Sequence, residues 1–187
     1  MTAAVSNYGG LGSFGAHGLA PSAIRDVIAE VRSMTDKPFA MNLWVSIEDE
    51  GARPMRFEEQ VRVLIDAKVP VFSFTCGIPP KEILDECRSK RIVLIGAATT
   101  PDEAIELQKA GVDLIVASGF EGGGHRGSFL RASEDSLTGM FALVPQVADK
   151  VSVPVIAAGG IADGRGIVAA FALGAEGVAD RDGVPRL

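Results

Sequence analysis

The chain alternates short apolar runs with longer amphipathic segments, and this alternation limits its possible folds more than any other feature. The runs are continuously apolar, which is typical of parallel strands that are buried on both faces of a sheet. The intervals between them are long enough for a crossover helix. The six runs are residues 11–15, 39–45, 71–75, 92–97, 114–118 and 155–158.

The segments between the runs have helical periodicity and helix-end signals. Ile24, Ile28 and Val31 share one helical face with Val27, and a shorter stripe begins at Val61. Proline or acidic residues typical of a first helical turn follow Ala20 and Thr100, and glycines typical of helix C-termini stand at 111 and 174. Successive strand–helix units therefore predict an α/β protein with a parallel sheet.

We expect residues 1–187 to form a single domain of the TIM-type (β/α)8 barrel class, with a doubly wound sheet as the alternative. The barrel is predicted to be incomplete, because such barrels usually need about 250 residues. The chain has 187 residues and starts in a helical segment near residues 2–7, with no strand before it. A seventh strand starts at 176–179, and the pattern stops at Asp180. The first strand and the end of the last strand are thus expected to be missing, as in a fragment, a truncated gene product or a gene-model error.

Composition excludes several functional classes. Apolar residues make up 47% of the chain and the net charge is −6, which argues against a disordered protein and against a general basic surface for nucleic acid. No apolar run reaches the roughly 18 residues that span a bilayer. Two cysteines, Cys76 and Cys87, suit a reducing compartment. We therefore expect a cytoplasmic protein that binds neither nucleic acid nor membrane.

The loop after the fifth run, residues 118–128, is the most informative stretch for function. Four of the seven residues from Gly122 to Ser128 are glycines, and His125 and Arg126 interrupt them. Successive glycines can present backbone N–H groups to an anion such as a phosphate or nitro group. A histidine there can transfer a proton near neutral pH. The alternative is a flexible loop with a solvated histidine.

A second glycine segment follows the sixth run, where Gly159 and Gly160 precede a helix that begins near Asp163. Phosphate groups bind at such strand–glycine–helix junctions late in barrels, although an ordinary tight turn is the alternative. Asn42 lies inside an apolar strand and must find a hydrogen-bond partner, which could be a flavin ring, a substrate or a structural group.

Three further features are weaker candidates. His17 follows a predicted strand, but a structural role is favoured. Cys76 also follows a strand, and a buried inert thiol is favoured there. The acidic run 48–50 is expected to be a solvated loop. No sequence motif supports a metal site or an NTPase.

Four motifs stand out along the chain, at residues 9–15, 38–43, 121–127 and 158–164. Together they resemble the nitronate monooxygenases, formerly called 2-nitropropane dioxygenases, and the resemblance covers about residues 2–178. It implies a TIM barrel with non-covalent FMN that oxidises alkyl nitronates with O2 to a carbonyl compound and nitrite. His125 matches the family's catalytic base, which takes the α-proton from neutral nitroalkanes.

The resemblance also predicts the cofactor contacts. Ser118 stands where many members carry Gln, and Gly122 replaces a common Ala. The positions predicted to contact the flavin are Asn42, Ser118, Gly123, Gly124, Gly159 and Gly160.

Alternatives stay open at this point. The same barrel serves flavin-dependent enoyl reductases and NAD(P)H:quinone reductases, and a protein without the family's terminal strands could be an inactive remnant. Because the family draws flavin contacts from both of those strands, residues 1–187 are expected to bind FMN poorly. The expected partners are a small nitronate or nitroalkane and O2, and the sequence does not predict an oligomeric state.

Overall fold

The computed structural model describes residues 1–45 and 57–179, and within them parallel strands alternate with helices. The strands are β1 (Gly12–Gly15), β2 (Phe39–Trp44), β3 (Val71–Thr75), β4 (Val93–Ala98), β5 (Leu114–Ser118), β6 (Val155–Ala158) and β7 (Gly177–Ala179). The helices are α1 (Thr2–Asn7), α2 (Pro21–Met34), α3 (Phe57–Asp66), α4 (Lys81–Ser89), α5 (Pro101–Ala110), α6 (Met140–Ala148) and α7 (Gly164–Ala172), with a 3-10 turn at Ser133–Ser136.

The first of two compact units comprises, among the described residues, 1–45, 57–75 and 79–94. In it, β1 pairs with β2 and β2 with β3, both in parallel. Phe39, Met41 and Leu43 alternate along β2 and are almost fully buried, and Phe72 and Phe74 do the same on β3. The residues between them on these strands are partly exposed, apart from buried Ala40, so one face of this sheet is less covered than the continuously apolar runs predict.

The second unit comprises residues 76–78 and, among those described, 95–179. Here β4 pairs with β5, β5 with β6 and β6 with β7, again in parallel. Ser118 is level with Ala158, so the loops that follow β5 and β6 leave the same edge of the sheet. This register brings the two glycine segments side by side.

The helix ends follow local signals. Pro21 and Pro101 are the first residues of their helices, and Thr100 accepts a hydrogen bond from the Glu103 backbone N–H at 3.3 Å. Gly111 ends α5 in the left-handed conformation, with φ at +80°. The predicted helices and strands are therefore confirmed, with boundary differences of one or two residues. In the described ranges, no helix is both long enough and apolar enough to cross a bilayer.

Two predictions are not decided by these observations. The single-domain organisation stays a prediction, since each unit is described by itself. The acidic run 48–50 and the segment from Asp180 onward lie outside the described residues.

Candidate active site

The two glycine segments contact each other at the carboxyl edge of β5 and β6. The Gly119 N–H donates to the Ala158 carbonyl at 2.8 Å, which continues the strand pairing into the loops. A Cβ atom built on Gly159 would lie 3.0 Å from the backbone nitrogen of Gly122 and 3.3 Å from the carbonyl oxygen of Gly119. A Cβ there would displace one of these backbone atoms by a few tenths of an ångström, and the φ of Gly159, +108°, also favours glycine.

The predicted contacts Gly123 and Gly124 lie with His125 on an exposed stretch of the β5 loop. The Gly122 N–H closes a turn on the Gly119 carbonyl at 3.1 Å, and Gly124 has a φ of +94°. Ser118 is the last residue of β5 and is partly buried. Gly160, with a φ of +68°, is exposed beside the Glu121 side chain. The structure thus places His125 on an exposed loop directly after glycines, whose backbone polar groups are not covered by side chains of their own.

Arg126 fastens the loop to its surroundings through backbone carbonyls. Its Nη1 donates to Ser118 O and Gly119 O, both at 2.8 Å, and its Nε donates to Ser136 O at 3.1 Å. Its Nη2 also donates to Ser136 O and, at 3.4 Å, to Thr99 O. Burial lowers the pKa of the Arg126 guanidinium from its usual value, and nearby carboxylates oppose that shift. The contacts found for Arg126 therefore hold the loop against neighbouring backbone.

Glu103 holds the far end of the same loop, and sequence reasoning missed this role. Its side chain is fully buried on α5. Oε2 accepts hydrogen bonds from Thr99 N at 2.6 Å and Thr99 Oγ1 at 2.7 Å. Oε1 accepts them from Phe129 N at 2.7 Å and Leu130 N at 3.2 Å. The Thr-x-x-Glu pattern at residue 100 could have identified Glu103 as a helix-start residue, but no local signal indicates its contacts with residues 129 and 130.

Glu121 is a second carboxylate that the sequence analysis did not single out. Both of its oxygens accept hydrogen bonds from the Met140 N–H, at 2.9 and 3.1 Å. Met140 is the first residue of α6, whose N-cap is a glycine without a side chain. Glu121 therefore satisfies a helix N-terminus, where a negative charge is favourable.

In the first unit, Asn42 is partly buried on β2, and its Nδ2 donates to Ser73 Oγ at 3.1 Å on the paired position of β3. Ser73 is therefore one hydrogen-bond partner of this amide. At the end of β2, Trp44 stacks on His17, with ring centroids 3.8 Å apart and an interplanar angle of 5°. The buried Gln60 amide donates to the carbonyls of His17 at 2.8 Å and Leu19 at 2.9 Å.

The two cysteines differ in environment. Cys76 follows β3, is partly buried and has a positive φ of 59°. Cys87 is fully buried on α4, and burial raises the pKa of its thiol to about 11. Among the described residues, no group of three or more side chains could hold a metal ion.

Comparison with known proteins identifies the family to which the chain belongs. The family model for nitronate monooxygenase matches residues 1–179. A probable nitronate monooxygenase of Staphylococcus haemolyticus is 41% identical and one of Staphylococcus aureus is 44% identical, each over 95% of the chain. The chain spans 58% of the length of these relatives.

Solved structures agree with the family match. A nitroalkane oxidase from Streptomyces ansochromogenes is 32% identical, with a TM-score of 0.89 over 95% of this chain and 59% of the other. FabK from Thermotoga maritima is 40% identical, with a TM-score of 0.81 over 95% of this chain and 51% of the other. These likenesses confirm the predicted α/β fold of the TIM-barrel class. Since the family model covers nearly the whole chain, the protein belongs to the nitronate monooxygenase family.

Proposed function

We propose that the protein acts as an FMN-dependent oxidoreductase that oxidises alkyl nitronates with O2 to a carbonyl compound and nitrite. The observation that carries the proposal is the convergence of the two glycine segments, with His125 on the same loop, in a chain of this family. When bound, FMN would supply the electron acceptor for nitronate oxidation, with O2 as the final oxidant.

The glycine edge suits the phosphate end of such a cofactor. Gly159 and Gly160 lie at the start of the turn into α7, and Gly123 and Gly124 are exposed beside His125. Backbone N–H groups in glycine turns bind phosphate without a side chain in the way. We assign the phosphate to this edge and a further polar contact to Ser118. Asn42, in the first unit, stays a predicted flavin contact that rests on the resemblance.

His125 is the proposed proton acceptor for neutral nitroalkanes. It lies on an exposed part of the loop, which lets a substrate reach it. A preformed nitronate has already lost the α-proton and needs no base. The role of His125 should therefore show as a difference between the two substrate forms.

The test is a comparison of both substrate forms in His125→Asn, measured with FMN added in excess because residues 1–187 are expected to bind it poorly. Turnover of neutral nitroalkane should fall by roughly 10²-fold or more, while oxidation of the preformed nitronate is retained. His17→Asn is the matched control, since the chain has two histidines and His17 stacks on Trp44. Equal losses with both substrate forms would contradict the assignment.

The likeness to FabK favours a second candidate, a flavin-dependent enoyl reductase or NAD(P)H:quinone reductase on the same barrel. An absorbance spectrum of the purified protein first decides whether flavin is present, and a colourless preparation would support an inactive remnant. Assays with propionate-3-nitronate and O2, and with NADH and a quinone, then separate the two enzyme classes. The partners in either case are small molecules, and a cytoplasmic location stays a prediction.

A further inference from the structure

We propose that Arg126 and Glu103 are positioning residues that hold His125 in place by fastening the loop on its C-terminal side. We call this pair the loop clasp. The inference rests on the proposed function for the role of His125, but the clasp itself is defined by contacts within the second unit.

The first half of the clasp uses the geometry of the guanidinium group. Arg126 bonds the carbonyls of Ser118 and Gly119, where its own loop begins, and that of Ser136, ten residues farther along the chain. A planar group with five N–H donors can reach acceptors in several directions at once. A lysine ammonium carries the same charge but lacks this fork, so it cannot replace the set of contacts.

The second half fixes the chain just beyond Arg126. The Glu103 carboxylate accepts from the N–H groups of Phe129 and Leu130, while its other oxygen is held by Thr99. Because Glu103 is fully buried on α5, this oxygen pair is a rigid reference point for the loop. In Glu103→Gln, the side-chain NH2 group would face either the Thr99 donors or the N–H groups of Phe129 and Leu130. One of these two sets of hydrogen bonds would therefore be lost.

His125 lies one residue before the first anchor. Consecutive Cα atoms are 3.8 Å apart, so a fixed Arg126 leaves the backbone of His125 little room to move. The three residues before it are Gly122, Gly123 and Gly124, which restrict the backbone least of all residue types. The position of His125 therefore depends on the C-terminal anchors rather than on the glycines.

The test compares Arg126→Lys, Arg126→Gln and Glu103→Gln with two matched controls. Arg131→Gln removes an arginine of the same region whose ion pair with Asp102 is about half exposed. Glu106→Gln removes a carboxylate of the same helix that pairs with Lys109 near the surface. Far-UV and near-UV circular dichroism establish that each variant is folded, and Arg126→Lys and Glu103→Gln decide the question if Arg126→Gln does not fold.

Two readouts need no flavin and no turnover. Hydrogen exchange at the Phe129 and Leu130 amides should be at least 10-fold faster in Glu103→Gln and unchanged in Glu106→Gln. Since the chain has two histidines, the imidazole NMR signals of His125 can be distinguished from those of His17. The His125 signals should shift or broaden in both Arg126 variants, while those of His17 and those of the Arg131→Gln control stay unchanged. Unaltered exchange and unaltered His125 signals would overturn the proposal.

A kinetic readout separates positioning from general stability. In flavin-loaded Arg126→Lys, kcat for a neutral nitroalkane should fall about 10-fold more than kcat for the preformed nitronate. Equal losses would refute positioning of the base. If the wild-type protein oxidises neither substrate, the proposed function fails, and exchange and NMR still decide whether the clasp exists.

Discussion

Replacing Gly159 by alanine tests directly whether the two glycine segments are packed as the structure has them. The new Cβ would lie 3.0 Å from the Gly122 nitrogen and 3.3 Å from the Gly119 oxygen. Both are backbone atoms, which cannot rotate away as the end of a side chain can. At least one of the two loops must therefore move.

The expected cost has two parts. An L-residue held at a φ of +108° carries strain of about 1 to 3 kcal/mol. Forcing an extra methyl group into a packed position costs about 1 to 3 kcal/mol more. We therefore expect Gly159→Ala to lower the free energy of unfolding by about 2 to 6 kcal/mol, a large share of the roughly 5 to 15 kcal/mol that stabilises a typical domain.

Two neighbouring glycines provide graded controls. At Gly160 the φ is +68° and a Cβ would meet only the Glu121 side chain, with Glu121 Cβ at 3.3 Å, so the left-handed backbone accounts for most of the cost and Gly160→Ala should cost about 1 to 2 kcal/mol. Gly164 lies at the start of α7 with nothing within 4 Å of a Cβ, so Gly164→Ala should stabilise by about 0.5 kcal/mol. Urea denaturation of the three variants measures their free energies of unfolding and so gives the order of these costs. Gly159→Ala with wild-type stability, or a reversed order, would refute the packing described here.

Two other buried groups give independent predictions. The Cys87 thiol has its pKa raised from 9.0 to about 11 by burial, so its contribution is fully present below pH 9 and is lost as the pH rises towards 11. Between pH 8 and pH 11, wild type should lose roughly 2 to 3 kcal/mol of unfolding free energy more than Cys87→Ala, and parallel pH curves would contradict this. Gln60→Leu leaves the carbonyls of His17 and Leu19 without their amide donor, so it should cost about 1 to 3 kcal/mol in urea denaturation. A cost below about 0.5 kcal/mol would show that this amide does not support the loop after β1.

The sequence predicts most of the strand and helix order because the responsible forces are local. Apolar runs indicate buried strands, and the proline at residue 101 and the glycine at residue 111 mark the ends of α5 through their own backbone preferences. Two helices escaped prediction. In α4, Leu84 and Cys87 are the buried side chains, so no apolar stripe stands out. In α6, Pro145 lies inside the helix, where a proline normally indicates an end.

The sequence alone indicates the glycines and the histidine of the candidate site, but it does not indicate the groups that hold their loop in place. The glycine segments stand out because repeated glycines are unusual, and the parallel register of β5 and β6 accounts for their meeting. The contact of Glu103 with Leu130 joins positions 27 residues apart, and nothing local indicates it. From the sequence, Glu103 would ordinarily be interpreted as a solvated residue of a helix start and Glu121 as a solvated residue of a surface loop, because glutamates are seldom buried.

The glycines and the charged residues at this edge of the sheet have opposite effects on the loop. Glycines let a backbone approach a ligand and adopt positive φ angles, but each one increases the conformational entropy that folding must overcome. A loop made only of such residues would not hold a proton acceptor at one place. Arg126 and Glu103 compensate because charged groups form stronger hydrogen bonds than neutral ones, and they direct those bonds to backbone atoms. The loop can therefore be open beside His125 and anchored one, four and five residues later, which is the arrangement that the proposed proton acceptor on a glycine loop requires.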